Sequence, residues 1–278
     1  MVTNDSRSVV ITGGTKGIGL GMVEAFLARG CSVTFCGRSQ RNIDETLAML
    51  KERFPQANLA GQPCDVSQYE EVQSLWDLAV QRFGRVDIWI NNAGTSNDQI
   101  AFHELPTHEL SAVVESNLLG SVNGSHVALR GMRVRGRGAV YNMEGYGSDG
   151  SRMLGMALYG STKYALRYFT LSLADEAKAS GVQVCLLSPG VVITDLFIDV
   201  WRRADPAHWK RMRWLFKFIG DPVDVVSPWL AEQILNNKKN GVRIVWMTVL
   251  KAVLRVFSPY YHRRNLFEGT GIEDTAPP

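Results

Sequence analysis

The sequence is short of several things, and each shortage excludes something. No apolar run reaches membrane-spanning length without a charge, which argues against a spanning helix. Residues 1–7 are polar and hold no apolar stretch of the secretory kind, so the expectation is a soluble cytoplasmic chain, with peripheral membrane contact left open. The cysteines are few. Cys31, Cys36, Cys64 and Cys185 lack metal-type spacing, and three of them lie in or beside apolar strand-like runs, as buried free thiols in a reducing compartment do. Charge of one sign is also lacking: 30 Lys and Arg against 27 Asp and Glu leave +3, too little to imply nucleic-acid binding over the whole surface. Internal repeats and low-complexity blocks are absent. What remains is 278 residues, enough for one large α/β domain with a well-buried core.

What the chain does have begins with Val9-Val-Ile-Thr-Gly-Gly-Thr-Lys-Gly-Ile-Gly19, a β-branched run that breaks into a glycine turn and then into a helical pattern over 20–29. A strand feeding a glycine turn at a helix N-terminus makes an anion site, because unpaired backbone N–H groups and the positive helix end point at one spot. Gly13 permits the tight turn, Gly17 lets a pyrophosphate approach, and Gly19 lets the helix pack on the strand. Thr15, Lys16 and Ile18 complete the turn. The spacing Gly-x-x-x-Gly-x-Gly is neither the ordinary dinucleotide fingerprint nor a P-loop.

A second buried strand, 32–37, ends in Gly37-Arg38-Ser39. A carboxylate there would bond a ribose 2′-hydroxyl, whereas a cation accommodates a 2′-phosphate. Arg38 and Lys16 therefore favour NADP(H) over NAD(H). Helical spacing over 41–54 leads to a third strand over 58–67, whose Asp65 and Val66 stand where ligands of doubly wound sheets collect. Asp65 could accept from an adenine amino group while Val66 packs on the ring, and Asp65 with Ser67 could equally cap the next helix. The fourth strand ends in Asn91-Asn92-Ala93-Gly94, amides that brace neighbouring strand ends and a glycine that admits a ligand. This repetition predicts an α/β fold with a parallel sheet and right-handed crossovers.

A long helix over 105–130 carries Asn117 in its middle, a poor interior helix residue that signals a kink or a bound water. The stretch 130–138 reads as a basic, glycine-punctuated loop, followed by a fifth strand over 139–143 and the loop 144–151. Tyr159 and Lys163 stand four apart at the start of a helix reaching 181, so the ammonium can lie beneath the phenol and lower its pKa toward neutrality. A sixth strand over 182–187 stops at Pro189 and Gly190, beyond which Val192 and Thr194 reach the cofactor edge.

Taken together, Thr12 to Gly19, Asp65-Val66, Asn91 to Gly94, Asn117, Tyr159 with Lys163, and Pro189-Gly190 with Thr194 resemble the short-chain dehydrogenase/reductase family, in family order and to about residue 247. The resemblance implies a doubly wound Rossmann-type parallel sheet of about seven strands with helices on both faces. It implies hydride transfer between nicotinamide and a carbonyl or alcohol. In such enzymes the residue matching Tyr159 is the catalytic acid or base, that matching Lys163 binds the ribose hydroxyls, and that matching Asn117 holds a proton-relay water. A homodimer or homotetramer formed through the two long helices is the family habit.

One departure stands out. The serine that usually follows the fifth strand is missing, and Asn142-Met-Glu-Gly145 occupies the region, leaving Ser148, Tyr146 or Glu144 as its replacement. This departure, with the run through Arg263-Arg-Asn265, resembles the chlorophyll b reductase branch, whose members reduce the 7-formyl group of chlorophyll b or chlorophyllide b with NADPH. Other lipid, acyl or steroid carbonyls are the same-class alternative; a non-catalytic NADP(H)-sensing protein is the other.

Residues 195–220 interleave aromatics with cations, which suits a lid over a broad apolar substrate bearing carboxylates, a membrane-surface helix, or a lid packed on its own core. A seventh strand over 241–247 and a basic amphipathic helix over 248–257 follow. One reductase domain over 1–266 with a disordered tail over 267–278 is the expected organisation.

Overall fold

Strands that are buried on both faces need no polar alternation, and the short β-branched runs of this chain meet that condition. The computed structural model describes residues 7–272. In chain order the Rossmann-type half comprises β1 (Ser8–Ile11), α1 (Gly17–Leu27), β2 (Ser32–Gly37), α2 (Gln40–Arg53), β3 (Leu59–Pro63), α3 (Tyr69–Phe83) and β4 (Ile88–Asn91). There follow α4 (Thr107–Val114), α5 (Gly120–Arg135), β5 (Gly138–Met143), α6 (Ala157–Ala177), β6 (Val182–Ser188), β7 (Val191–Ile193), α7 (Asp195–Arg202) and α8 (Pro206–Ile219). The chain then runs through β8 (Gly220–Pro222), α9 (Val223–Asn236), β9 (Arg243–Val245), α10 (Val249–Val256) and α11 (Pro259–Arg263).

Seven strands pair in the order β3-β2-β1-β4-β5-β6-β9, all parallel. The pleat divides the core: Val9, Ile11, Phe35 and Tyr141 point to the face covered by α1, α2 and α9, whereas Val10, Trp89, Val140 and Val184 meet α3, α5 and α6. The order reverses between β1 and β4, and this switch point opens a crevice at the strands' carboxyl ends.

Three expectations need correction. The helix expected over 105–130 is interrupted by a π-helical turn at residues 115–119, with Asn117 fully buried at its centre. The expected loop over 130–138 is mostly helix: α5 continues to Arg135 because Met132 packs in the core and Arg135 pairs with Asp87 at 3.1 Å. The tail is ordered as far as it is described. Phe267 and Ile272 are buried in a second core with Trp201, Trp209 and Phe216, and the Trp209 indole donates to the Ile272 carbonyl at 3.0 Å. Its remainder, 273–278, lies outside the described residues.

The lid is α7 and α8, tied at both ends by the parallel pairing of β7 with β8. At its base the buried Asp221 carboxylate accepts from Arg255 (2.8 Å), from the Trp246 indole (2.7 Å) and from Arg264 (3.4 Å), clamping the C-terminal segment onto the lid. Removing the buried ring in Phe267→Ala is expected to cost ~3 kcal/mol. Chemical denaturation followed by tryptophan fluorescence measures this; an unchanged midpoint would place the tail outside the core.

Candidate active site

The turn after β1 runs through Gly13 and Gly17, both at positive φ (68° and 55°), so the chain reaches α1 by a path that L side chains resist. α1 has neither a capping side chain nor an acidic residue in its first turn, and its N–H groups face the crevice. A Cβ at Gly19 would overlap the Gly13 carbonyl, which explains the third glycine. This cradle fits a pyrophosphate.

Amides from β4 hold the cradle in place. The Asn92 side chain donates to the carbonyls of Thr12 (3.0 Å) and Gly13 (3.1 Å), while Thr12 Oγ1 accepts from the N–H groups of Asn92 and Ala93, each at 3.0 Å. One strand over, Asn91 Nδ2 donates to Asn142 Oδ1 (2.7 Å), Ser125 Oγ (3.0 Å) and the Ser121 carbonyl (3.2 Å). Bracing by Asn91 and Asn92 was legible in the sequence; Thr12, Asn142 and Asn123, which donates to the carbonyls of Val66 and Ser67, were not singled out as partners.

A cleft of about 430 Å³ brings together nearly all the residues expected at the site. Gly13 to Gly19, Arg38, Asp65, Val66, Asn92, Ala93, Gly94, Asn117, Tyr159, Lys163, Pro189, Gly190, Val192 and Thr194 all contribute, with Gly14 the one gap in the first run. Ser39 does not. It is the N-cap of α2, accepting from the Asn42 N–H, which turns it away from the cleft. Thr194 likewise caps α7, its hydroxyl accepting from the Phe197 N–H at 3.3 Å, although it still lines the cleft. Asp65 closes a local turn through Ser67 rather than capping α3 directly.

Tyr159 and Lys163 converge as expected. The ammonium lies 5.7 Å from the phenol ring centroid and donates to the Met143 carbonyl at 3.2 Å. Gly145 explains how they fit: a Cβ there would overlap the Tyr159 hydroxyl and come within 3.2 Å of Lys163 Cε. A side chain at Gly145 would therefore take the space that the phenol occupies. Ser148 is buried and does not line the cleft, whereas Tyr146 and Glu144 do. Glu144 was not expected to be an ion-pair member. Its Oε2 accepts from Arg243 Nε at 2.7 Å, and its Oε1 lies 3.8 Å from Arg167. No sequence signal links Arg243 to Glu144, since only the pairing of β6 with β9 brings them together.

The electrostatics differ from the sequence expectation. Burial pushes the Tyr159 phenol up to about 12 rather than toward neutrality, so it is a protonated acid at pH 7. Burial also pushes the Lys163 ammonium down to about 8, with the Glu144 charge acting in the opposite direction. The Asn117 side chain is engaged structurally: its Oδ1 accepts from the Thr95 N–H (2.8 Å) and its Nδ2 donates to the Thr95 carbonyl (2.9 Å) and to Thr162 (3.2 Å).

Beyond Tyr159 the wall turns apolar, built from Met153, Met156, Phe197, Trp201, Met212 and Phe216. Of the three readings of the lid, packing on its own core holds for Trp201, Trp209 and Phe216, whose rings lie 5.0–6.3 Å apart. The lid cations do not line the cleft; Arg203 instead pairs with Asp98 at 2.8 Å. The expectation that lid guanidinium groups face the substrate finds no support in this lining.

A parallel Rossmann-type sheet with this glycine turn and this Tyr–Lys pair defines a nicotinamide-dependent oxidoreductase. The short chain dehydrogenase profile matches residues 7–205, and the chain belongs to that family. It is 34% identical over 275 residues to the chlorophyll(ide) b reductase NOL, chloroplastic, of Oryza sativa subsp. japonica, covering 94% of this chain and 77% of that one. It is also 32% identical over 281 residues to the probable chlorophyll(ide) b reductase NYC1, chloroplastic, of the same species, covering 95% of this chain but spanning only 54% of that protein's length. Among solved structures, an actinorhodin polyketide ketoreductase variant with NADPH superposes with a TM-score of 0.77 at 26% identity, covering 90% of this chain and 99% of that one.

The paired charges at Lys163 make pH dependence informative. Glu144→Gln removes the negative charge that favours the ammonium and leaves Arg243 and Arg167 uncompensated, so Lys163 loses its proton more readily. The alkaline fall in activity, expected near pH 8 from the Lys163 value, should move to lower pH in the variant. A profile of nicotinamide oxidation against pH reads the shift, and a move toward alkali would contradict it.

Proposed function

We propose that this oxidoreductase uses NADPH to reduce a carbonyl of a bulky apolar substrate, the 7-formyl group of chlorophyll b or chlorophyllide b, to the alcohol. The observation carrying this reading is that Tyr159 and Lys163 share one cleft with the apolar side chains of Met153, Phe197 and Trp201, next to the dinucleotide cradle. The similarity to chlorophyll(ide) b reductases supports the choice of substrate. The glycine turn, Arg38 and Lys163 would hold NADPH, which would supply the hydride for the carbonyl carbon. Tyr159 gives its hydroxyl proton to the carbonyl oxygen, a transfer for which a phenol held in its acid form is already prepared. In this reading Lys163 would hold the ribose hydroxyls of the bound nucleotide, and the π-helical turn at Asn117 would hold a relay water. Tyr146, exposed at the cleft mouth, is the donor in place of the missing serine.

The 2′-phosphate preference rests on Lys16 and Arg38, which are exposed at the cleft edge beyond β1 and β2. A two-fold interface through α6 is supported by the exposure of Tyr164, Tyr168 and Leu171 along that helix.

Tyr159→Phe should lower turnover by roughly 10²–10⁴-fold, the usual worth of a general acid, and leave NADPH affinity intact. Nicotinamide absorbance with a carbonyl panel that includes chlorophyllide b measures it. Unchanged turnover would end the assignment of Tyr159, and activity confined to steroid or acyl carbonyls would redirect the substrate. Arg38→Asp should weaken NADPH about tenfold, or about 1.4 kcal/mol, and leave NADH nearly unaffected; fluorescence titration of both nucleotides decides it.

A further inference from the structure

Beside the lid, one surface has its apolar side facing water. On α10 and just past it, Val249, Leu250, Val253, Leu254 and Phe257 follow one another at helical spacing along a single stripe. Val249 is 83% and Phe257 79% exposed, and Leu250 and Leu254 are more than half exposed. Tyr260 on α11 and Trp214 on α8 extend the patch with rings that are also exposed. The helix cannot roll to hide this stripe. Its opposite side is pinned by Arg255, buried between Asp221 and the Phe218 carbonyl, and by Lys251, whose ammonium sits over the Trp246 ring.

The charges around the stripe are of one sign. Residues 206–220 and 248–267 contain no Asp or Glu, while the first segment carries Lys210, Arg211, Arg213 and Lys217, and the second carries Lys251, Arg255, Arg263 and Arg264. Arg255 and Arg264 are paired with Asp221, but Lys210, Arg211 and Arg263 are exposed. A second copy of the chain seated on this face would set the same cations against one another, which disfavours self-association there. Aliphatic side chains in the centre, rings at the edge and cations beyond make up the pattern that suits an anionic bilayer surface.

We propose that α10, α11 and the exposed edge of α8 dock this protein on anionic lipid bilayers, with the α10 stripe entering the acyl boundary. Leu215, next to Trp214, lines the cleft, so α8 borders both the docking face and the cleft. The docking itself does not rest on the identity of the substrate. Vesicle binding is read without substrate or cofactor, so its failure leaves the reductase reading standing.

The test is sedimentation of the full chain with vesicles of phosphatidylcholine alone and of phosphatidylcholine mixed with phosphatidylglycerol. The wild-type protein should pellet with the mixed vesicles, pellet little with the neutral ones, and be released by high salt. Leu250→Glu with Leu254→Glu should weaken binding by about tenfold or more, and the milder Val249→Ser with Phe257→Ser should weaken it in the same direction; thermal unfolding and NADPH binding should match wild type in both. Equal pelleting with both vesicle types, or undiminished pelleting of both variants, would overturn the proposal. So would wild-type protein that stays in solution while light scattering shows the first variant dissociating a dimer.

Discussion

The site depends on one set of hydrogen bonds, those by which the Asn92 amide and the Thr12 hydroxyl tie the glycine turn of β1 to the end of β4. The connections that leave β1 and β4 at the switch point run to opposite faces of the sheet, and a turn with two residues at positive φ has little intrinsic reason to stay in one shape. Satisfying the Thr12 and Gly13 carbonyls from the neighbouring strand fixes the turn and leaves the α1 N–H groups free for a phosphate. The second amide layer, Asn91 with Asn142 and Ser125, holds β4 and β5 at the spacing that places Met143, and with it Lys163, beneath Tyr159.

The acid itself is tuned mainly by burial. Burial against Gly145 makes the phenol hold its proton more tightly, while the more deeply buried ammonium of Lys163 holds its own less tightly. Glu144 moderates the second effect without being free to act alone, because Arg243 and Arg167 share its charge. After β5 the space beside the phenol is bounded by Gly145, with Glu144 and Tyr146 both lining the cleft next to it.

The lid shows how far composition can mislead. Aromatics and cations alternate along 195–220, yet folding separates them: rings gather into a core with Phe267 and Ile272, and cations turn outward or pair with Asp98. A tail that reads as polar and unstructured supplies two members of that core. Neither fact follows from local pattern, because Phe267 and Ile272 lie more than 50 positions from the lid rings they join, and Asp98 farther still from Arg203.

The order of strands and helices, the anion cradle and the Tyr–Lys helix face were legible in the sequence, since each rests on near-neighbour rules: β-branched runs, glycine at special φ, and residues four apart on one helical turn. The tertiary structure alone decided that Ser148 is buried away from the cleft, which cations answer Glu144 and Asp221, that Ser39 caps a helix rather than lining the cleft, and which way burial moves the phenol's acidity. Those outcomes depend on burial and on contacts between distant segments, and neither is encoded by the spacing of residues along the chain.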